Sequence, residues 1–193
     1  MKFPESKIAH KYCIGSGIEI GAAAHNPFGL KICLNVAPDY DFEFFKQSQI
    51  ELCGEYYKID IVGTASSIPV ESNKFDYVVS SHVIEHVSDP IQAFCEWNRI
   101  LKPNGIIFMI FPKRNALPSD VGRPLSEIAD FVKSWNGKVF SEESGHIWVF
   151  SLQSMIDLIE YCNKTYKLCW EIIEAQETDD KVMNGHTIVC RKK

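Results

Sequence analysis

A chain of 193 residues is the length of one domain, and a composition of 46% hydrophobic and 23% charged residues suits a globular protein with a real core. The net charge of −5 argues against a broad phosphate-binding surface and so against nucleic acid as a partner. No apolar run approaches a membrane span, and the N-terminal MKFPESKIAHKY is too polar for a signal peptide.

In chain order, the run GIEIG at 17–21 predicts a first strand, followed by a turn of small residues, AAAHNPFG. KICLNV at 31–36 predicts a second strand, and a polar, aromatic stretch follows as far as Gly54. Lys58–Val62 and FDYVVS at 75–80 read as strands three and four. Asp89 and Pro90 then start a helix, with a carboxylate to cap free N–H groups and a proline where no N–H is needed. Ile91, Phe94, Trp97 and Leu101 give it one apolar stripe, and PNG at 103–105 ends it. IIFMIF at 106–111 is apolar throughout, as a strand covered on both faces should be.

Residues 113–147 are polar, carry Pro118 and Pro124, and contain one helical pattern at Ile128, Phe131, Val132 and Trp135. They read as an insertion over the carboxyl ends of the strands, a cover and not a separate domain. A helix follows at Leu152–Tyr161, then strands near Cys169–Ala175 and Thr187–Arg191. TDDKVMNG separates these two, which predicts an antiparallel pair with Asp179 and Asp180 in a solvated turn. Alternating strands and helices imply a doubly wound, Rossmann-like α/β domain, its seven-stranded sheet mostly parallel, with helices on both faces. The seven cysteines form no CxxC pair, so neither a zinc ribbon nor a disulfide framework is suggested. Free thiols fit a reducing, cytoplasmic setting.

In such a sheet, ligands bind outside the carboxyl ends of the strands, where the chain order reverses. Glu19, Gly21 and the small residues after them occupy the first such place, and the sequence is not the GxGxxG of a dinucleotide site. It resembles the first motif of class I S-adenosylmethionine-dependent methyltransferases. The stretch from Pro69 to Pro112 is more specific. Phe75–Asp76, Glu85–His86, Asp89–Pro90, Arg99, Leu101–Lys102–Pro103 and Gly105 are similar to the family pattern SFD, EH, DP and R-x-L-KPGG, in its type 11 form. The resemblance covers residues 15–112 strongly and the terminal strand pair more loosely. The resemblance further implies relatives that share the EIG-x-x-x-HNPFG opening and occur with cell-surface polysaccharide enzymes.

The resemblance implies S-adenosyl-L-methionine as cofactor and S-adenosyl-L-homocysteine as product. Glu19, Gly21, Ala22 and Ala23 would hold the methionine end. Asn35 and Asp39 would serve the ribose, Thr64, Ala65 and Ser66 the adenine, with Ser81 closing the site after the fourth strand. Two positions depart from the family: Ala37 stands where an acid takes both ribose hydroxyls, and Thr64 where an Asp meets the adenine amino group. A small-molecule acceptor is implied, a sugar or nucleotide-sugar, for a monomer or homodimer. His82 and His146 are the candidate bases, since transfer to an alcohol or amine needs a group to take the proton. Glu85 and His86 read as residues that fix the loop, and His25 as a loop anchor. A metal site built from His82, His86 and His146 lacks ligand spacing on any one element and is set aside. The competing interpretation is a non-catalytic protein of the same fold acting as a binding or scaffold partner.

Overall fold

The computed structural model describes residues 3–21, 26–38, 42–138 and 145–193. Five strands pair in parallel: β1 (Gly17–Ile20), β2 (Cys33–Ala37), β3 (Ile61–Val62), β4 (Phe75–Ser81) and β5 (Leu101–Pro112). The last strand, β7 (Gly185–Lys192), runs antiparallel between β5 and β6 (Trp170–Gln176). The order across the sheet is β3-β2-β1-β4-β5-β7-β6. The chain order reverses between β1 and β4, so their carboxyl ends flank the place where a doubly wound sheet takes its ligand.

Alternation along the strands sends side chains to two cores. Ile18, Ile20, Val36, Val78, Ile107 and Met109 bury one face against α3 (Pro90–Ile100), α4 (Ile128–Trp135) and α5 (Leu152–Tyr166). Tyr77, Val79, Phe108 and Ile110 bury the other against Phe28 and α1 (Lys7–Tyr12). Gly17 lies under the Tyr77 ring, where an added Cβ would come within 2.2 Å of it.

Most residues of the Pro69–Pro112 block are spent on joining these layers. Asp76 accepts hydrogen bonds from the Ser16 N–H (2.9 Å) and the Lys102 ammonium (2.8 Å), tying β4 to the approach of β1. Arg99 pairs with Glu96 and donates to the carbonyls of Ile68 and Val70. Trp97 Nε1 donates to the Ala65 carbonyl at 2.9 Å, so α3 clamps the loop that follows β3. Asp89 caps α3 by accepting from the Gln92 N–H, with Pro90 at the first helical position as its sequence predicts.

Several expectations shift. α1, capped by Ser6, and α2 (Phe42–Cys53) have no counterpart in the sequence reading. α3 ends at Ile100, before the PNG turn, because Leu101 already pairs with Phe75 across a register shift in β5. β3 shrinks to two residues: the Asp60 carboxylate itself takes the Asn35 N–H at 3.0 Å and replaces a ladder bond. The 178–184 connection is not a solvated turn. Asp179 is buried and accepts from the N–H groups of Lys181, Val182, Met183 and Gly185. Burial pushes its carboxyl up, but those four donors outweigh it and hold it below the usual range. No helix of the described residues is long and apolar enough to cross a membrane.

Candidate active site

The carboxyl ends of β1 and β4 bring the candidate site residues together. Glu19, on β1, is 2% exposed and accepts from the Phe28 N–H at 3.4 Å. Burial pushes its carboxyl up to about 7, against that hydrogen bond and the nearby Lys181 ammonium. Lys181 is itself buried, 4.5 Å from the Phe28 ring and 3.3 Å from the Pro27 carbonyl. It reaches Glu19 from the far end of the chain, a cation that reading the DDK loop as solvated had missed.

Gly21 leaves β1 at a φ of +68°, and an added Cβ would lie 2.8 Å from Val83 Cγ2. Two constraints therefore require glycine here: backbone angles that disfavour a side chain, and close approach of the loop after β4. Ala22, Ala23, His25 and Asp39 lie outside the described residues. Asn35 lies beside Glu19 across the β1–β2 pair and donates to the Lys58 carbonyl at 3.2 Å, and Ala37 ends β2 with no acid. Thr64 and Ser67 bond each other's backbone in a tight turn over Trp97; Thr64 is exposed, Ala65 buried and Ser66 half-buried. Ser81 is buried at the end of β4.

These residues fit S-adenosylmethionine at its methionine end. At Gly21 no side chain shields the backbone, and a buried carboxylate that burial pushes up to about 7 is one that an incoming ammonium would ionise. At the ribose and adenine end, Ala37 and the Thr64 hydroxyl offer no charge.

Beyond β4 the structure gathers groups that lie far apart in the sequence. His82 adopts a φ of +53°, and its Nδ1 lies 3.6 Å from Glu85 Oε1. His86 Nε2 lies 3.8 Å from the same oxygen, and His146 Nε2 3.9 Å. His146 Nδ1 is 2.6 Å from Asp120 Oδ2, and Asp120 pairs with Arg123 at 2.9 Å. Arg123 also donates to the carbonyls of His146 and Ile147, while the N–H groups of Ile147 and Trp148 donate to the Glu85 carbonyl. The segment between β5 and α5 is thus fastened onto the loop after β4. His146 does not cap α5, because Ser151 and Ser154 do so themselves. Glu85 is completely buried, and neither of its carboxylate oxygens accepts a hydrogen bond among the described residues. The sequence showed the EH pair but not Asp120 and Arg123, whose link to it is wholly tertiary.

The methyltransferase domain model matches residues 13–109, half of the chain. The chain belongs to the class I S-adenosylmethionine-dependent methyltransferase family. Over 56 residues it is 38% identical to a demethylmenaquinone methyltransferase of Staphylococcus haemolyticus (strain JCSC1435), a match covering 29% of this chain and 23% of that protein. The chain therefore matches only about a quarter of the length of such curated relatives. Among solved structures, a methyltransferase from Aquifex aeolicus superposes with a TM-score of 0.60 at 12% identity, covering 97% of this chain and 88% of that one. One from Thermotoga maritima gives 0.56 at 21% identity, covering 93% and 83%. Both share the fold.

Proposed function

We propose that the protein binds S-adenosylmethionine at the β1–β4 switch point and transfers its methyl group to a small-molecule acceptor, a hydroxyl or amine of a sugar or nucleotide-sugar. The observation that carries this is Glu19 beside Gly21: a buried, proton-holding carboxylate next to a loop where no side chain fits. When bound, the cofactor supplies an electrophilic methyl group on a sulfonium. The chain's own work is to hold its ammonium with Glu19, let the backbone at Gly21 approach it, and receive its ribose and adenine with Asn35, Asp39, the 64–66 turn and Ser81. Ala37 leaves the end of β2 without the acid, so the cofactor binds more weakly than to a relative that has one there.

Of the two nominated histidines, His82 takes the acceptor's proton. It follows β4 directly, and its buried Nε2 has no hydrogen-bond partner among the described residues. His146 is 5% exposed and held by Asp120, so it acts through the Glu85 cluster that it completes. The segment joining β5 to α5, whose described residues fasten onto the loop after β4, gives the site its acceptor preference. The setting is the cytoplasm, in a monomer or homodimer.

The test is transfer of labelled methyl from S-adenosylmethionine to a panel of nucleotide sugars and free sugars. Label in a sugar product is expected, with turnover lowered at least 100-fold by His82→Ala while S-adenosylhomocysteine affinity stays within about threefold. Equal turnover in the variant would remove His82 from the chemistry, and no label in any acceptor would remove the sugar assignment.

A further inference from the structure

The geometry points to a divalent transition-metal site made by Glu85, His86 and His146 at the mouth of the candidate active site. The inference rests on the proposed reading only for what the ion would do there, not for whether it binds. One ligand atom from each residue lies within 4.8 Å of the other two. His86 Nε2 and His146 Nε2 stand 3.8 and 3.9 Å from the shared Glu85 Oε1, beyond hydrogen-bond length. An ion with bonds of about 2.0–2.2 Å holds tetrahedral ligands roughly 3.3–3.5 Å apart. The two edges to Glu85 would close by roughly half an ångström around such an ion, and the imidazole–imidazole edge, no longer than 4.8 Å, by at most about 1.5 Å.

Two further observations point to a ligand. Glu85 is fully buried, yet neither of its oxygens accepts a hydrogen bond among the described residues. A carboxylate in that setting is costly unless a cation meets it, and the nearest side-chain partners are imidazoles held too far away to donate well. The second is Asp120. It takes the Nδ1 side of His146 at 2.6 Å and is itself held by Arg123. With Nδ1–H donating to Asp120, Nε2 presents its lone pair toward Glu85, the carboxylate–histidine–metal arrangement that fixes the ring and tautomer of a ligating histidine. Backbone bonds from Ile147 and Trp148 to the Glu85 carbonyl hold the two halves of the site in register.

Two imidazoles and one carboxylate suit a borderline divalent ion such as zinc and leave a coordination position open. Under the reading above, an acceptor oxygen would complete that position, and the ion would orient and polarise it beside His82.

The experiment titrates zinc chloride, and separately cobalt chloride, into the chelator-treated full chain by calorimetry, with absorption spectra of the cobalt form. One ion per chain is expected, with visible cobalt bands and no thiolate charge-transfer band, since the site contains no cysteine. His86→Ala and His146→Ala should each weaken binding at least 100-fold, and Asp120→Asn by about 10- to 100-fold. His86→Ala should leave S-adenosylhomocysteine affinity within threefold, which separates failure of the metal site from failure of the methyltransferase reading. Where a variant unfolds by circular dichroism, paramagnetic broadening of histidine signals by cobalt in the wild-type NMR spectrum replaces it, and broadening strongest at His86, His146 and the adjacent His82 is the expected result. Absence of stoichiometric binding, thiolate bands, or equal affinity in folded wild type and variants would overturn the site.

Discussion

The two flanks of the ligand edge differ in where they place charge. On the β2–β3 side, Ala37 ends its strand without an acid, β3 is two residues long, and the 64–67 turn presents a neutral hydroxyl. On the β4 side, Glu85, Asp120 and His146 are buried together, with Arg123 and two further histidines against them. Glu19 stands between the flanks. Among the described residues of this edge, the buried ionisable groups are thus gathered at β1 and on the β4 side. A protein that kept the fold only as a scaffold would have no reason to bury a carboxylate without donors on that side, where each such group costs stability.

The contrast is sharpest at its hinge, Gly21. Gly21→Val should abolish S-adenosylhomocysteine binding, a loss beyond 100-fold, because a side chain at a φ of +68° strains the turn and its Cβ meets Val83 at 2.8 Å. Calorimetry on the folded variant checks this, and unchanged affinity would move the cofactor elsewhere. A pH titration comes next in size. Holding an ammonium requires ionised Glu19, whose carboxyl titrates near 7, so affinity should fall up to about tenfold per unit as pH drops below 7 and level off above it. Binding near pH 6 should release a proton, seen as a buffer-dependent enthalpy. The sign for stability is the opposite. Folded Glu19 keeps a proton that the unfolded chain sheds above about pH 4.5, so its contribution to the ligand-free protein declines as pH rises from 4.5 to 7. Glu19→Gln should remove both dependences.

Ala37→Asp restores the missing charge on the weak flank and should tighten S-adenosylhomocysteine about tenfold, the worth of one charged bidentate contact. A null result would mean that the nucleoside is held differently here. The smallest effect belongs to the packing part of the motif. Lys102→Met breaks the ion pair that holds the Asp76 carboxyl below its usual range, but both side chains are over a third exposed. It should cost at most about 1 kcal/mol in denaturant unfolding and leave cofactor affinity unchanged.

What could be read from the sequence was local. Asp89–Pro90, the runs of β1 and β4, and Ile91, Phe94 and Trp97 of the α3 stripe depend on neighbours a few residues away and lie where the pattern placed them, whereas Leu101 passes into β5. Phe75–Asp76, Arg99 and Lys102 were legible as a motif, but only the fold shows that Asp76 bridges Ser16 and Lys102 and that Arg99 clamps the loop after β3. The cluster around Glu85 was not legible, because Asp120 and His146 reach it through a 113–147 segment with no period linking them to the EH pair. The same holds for Lys181, whose charge acts on Glu19 although the two lie far apart in the sequence. α1 escaped because it is six residues long and rests on a Ser6 cap and on burial of Ala9, not on a repeating stripe.

The central claim is that the β1–β4 switch point of this chain still takes the cofactor of its family although Ala37 stands where the family has its ribose acid. Calorimetric titration of S-adenosylhomocysteine into the purified wild-type chain at pH 8, where Glu19 is ionised, tests it most directly. The account predicts one site per chain with a dissociation constant on the order of 10–100 µM. No binding heat at millimolar ligand, in protein shown to be folded and with Ala37→Asp equally silent, would contradict it and leave the fold as a scaffold.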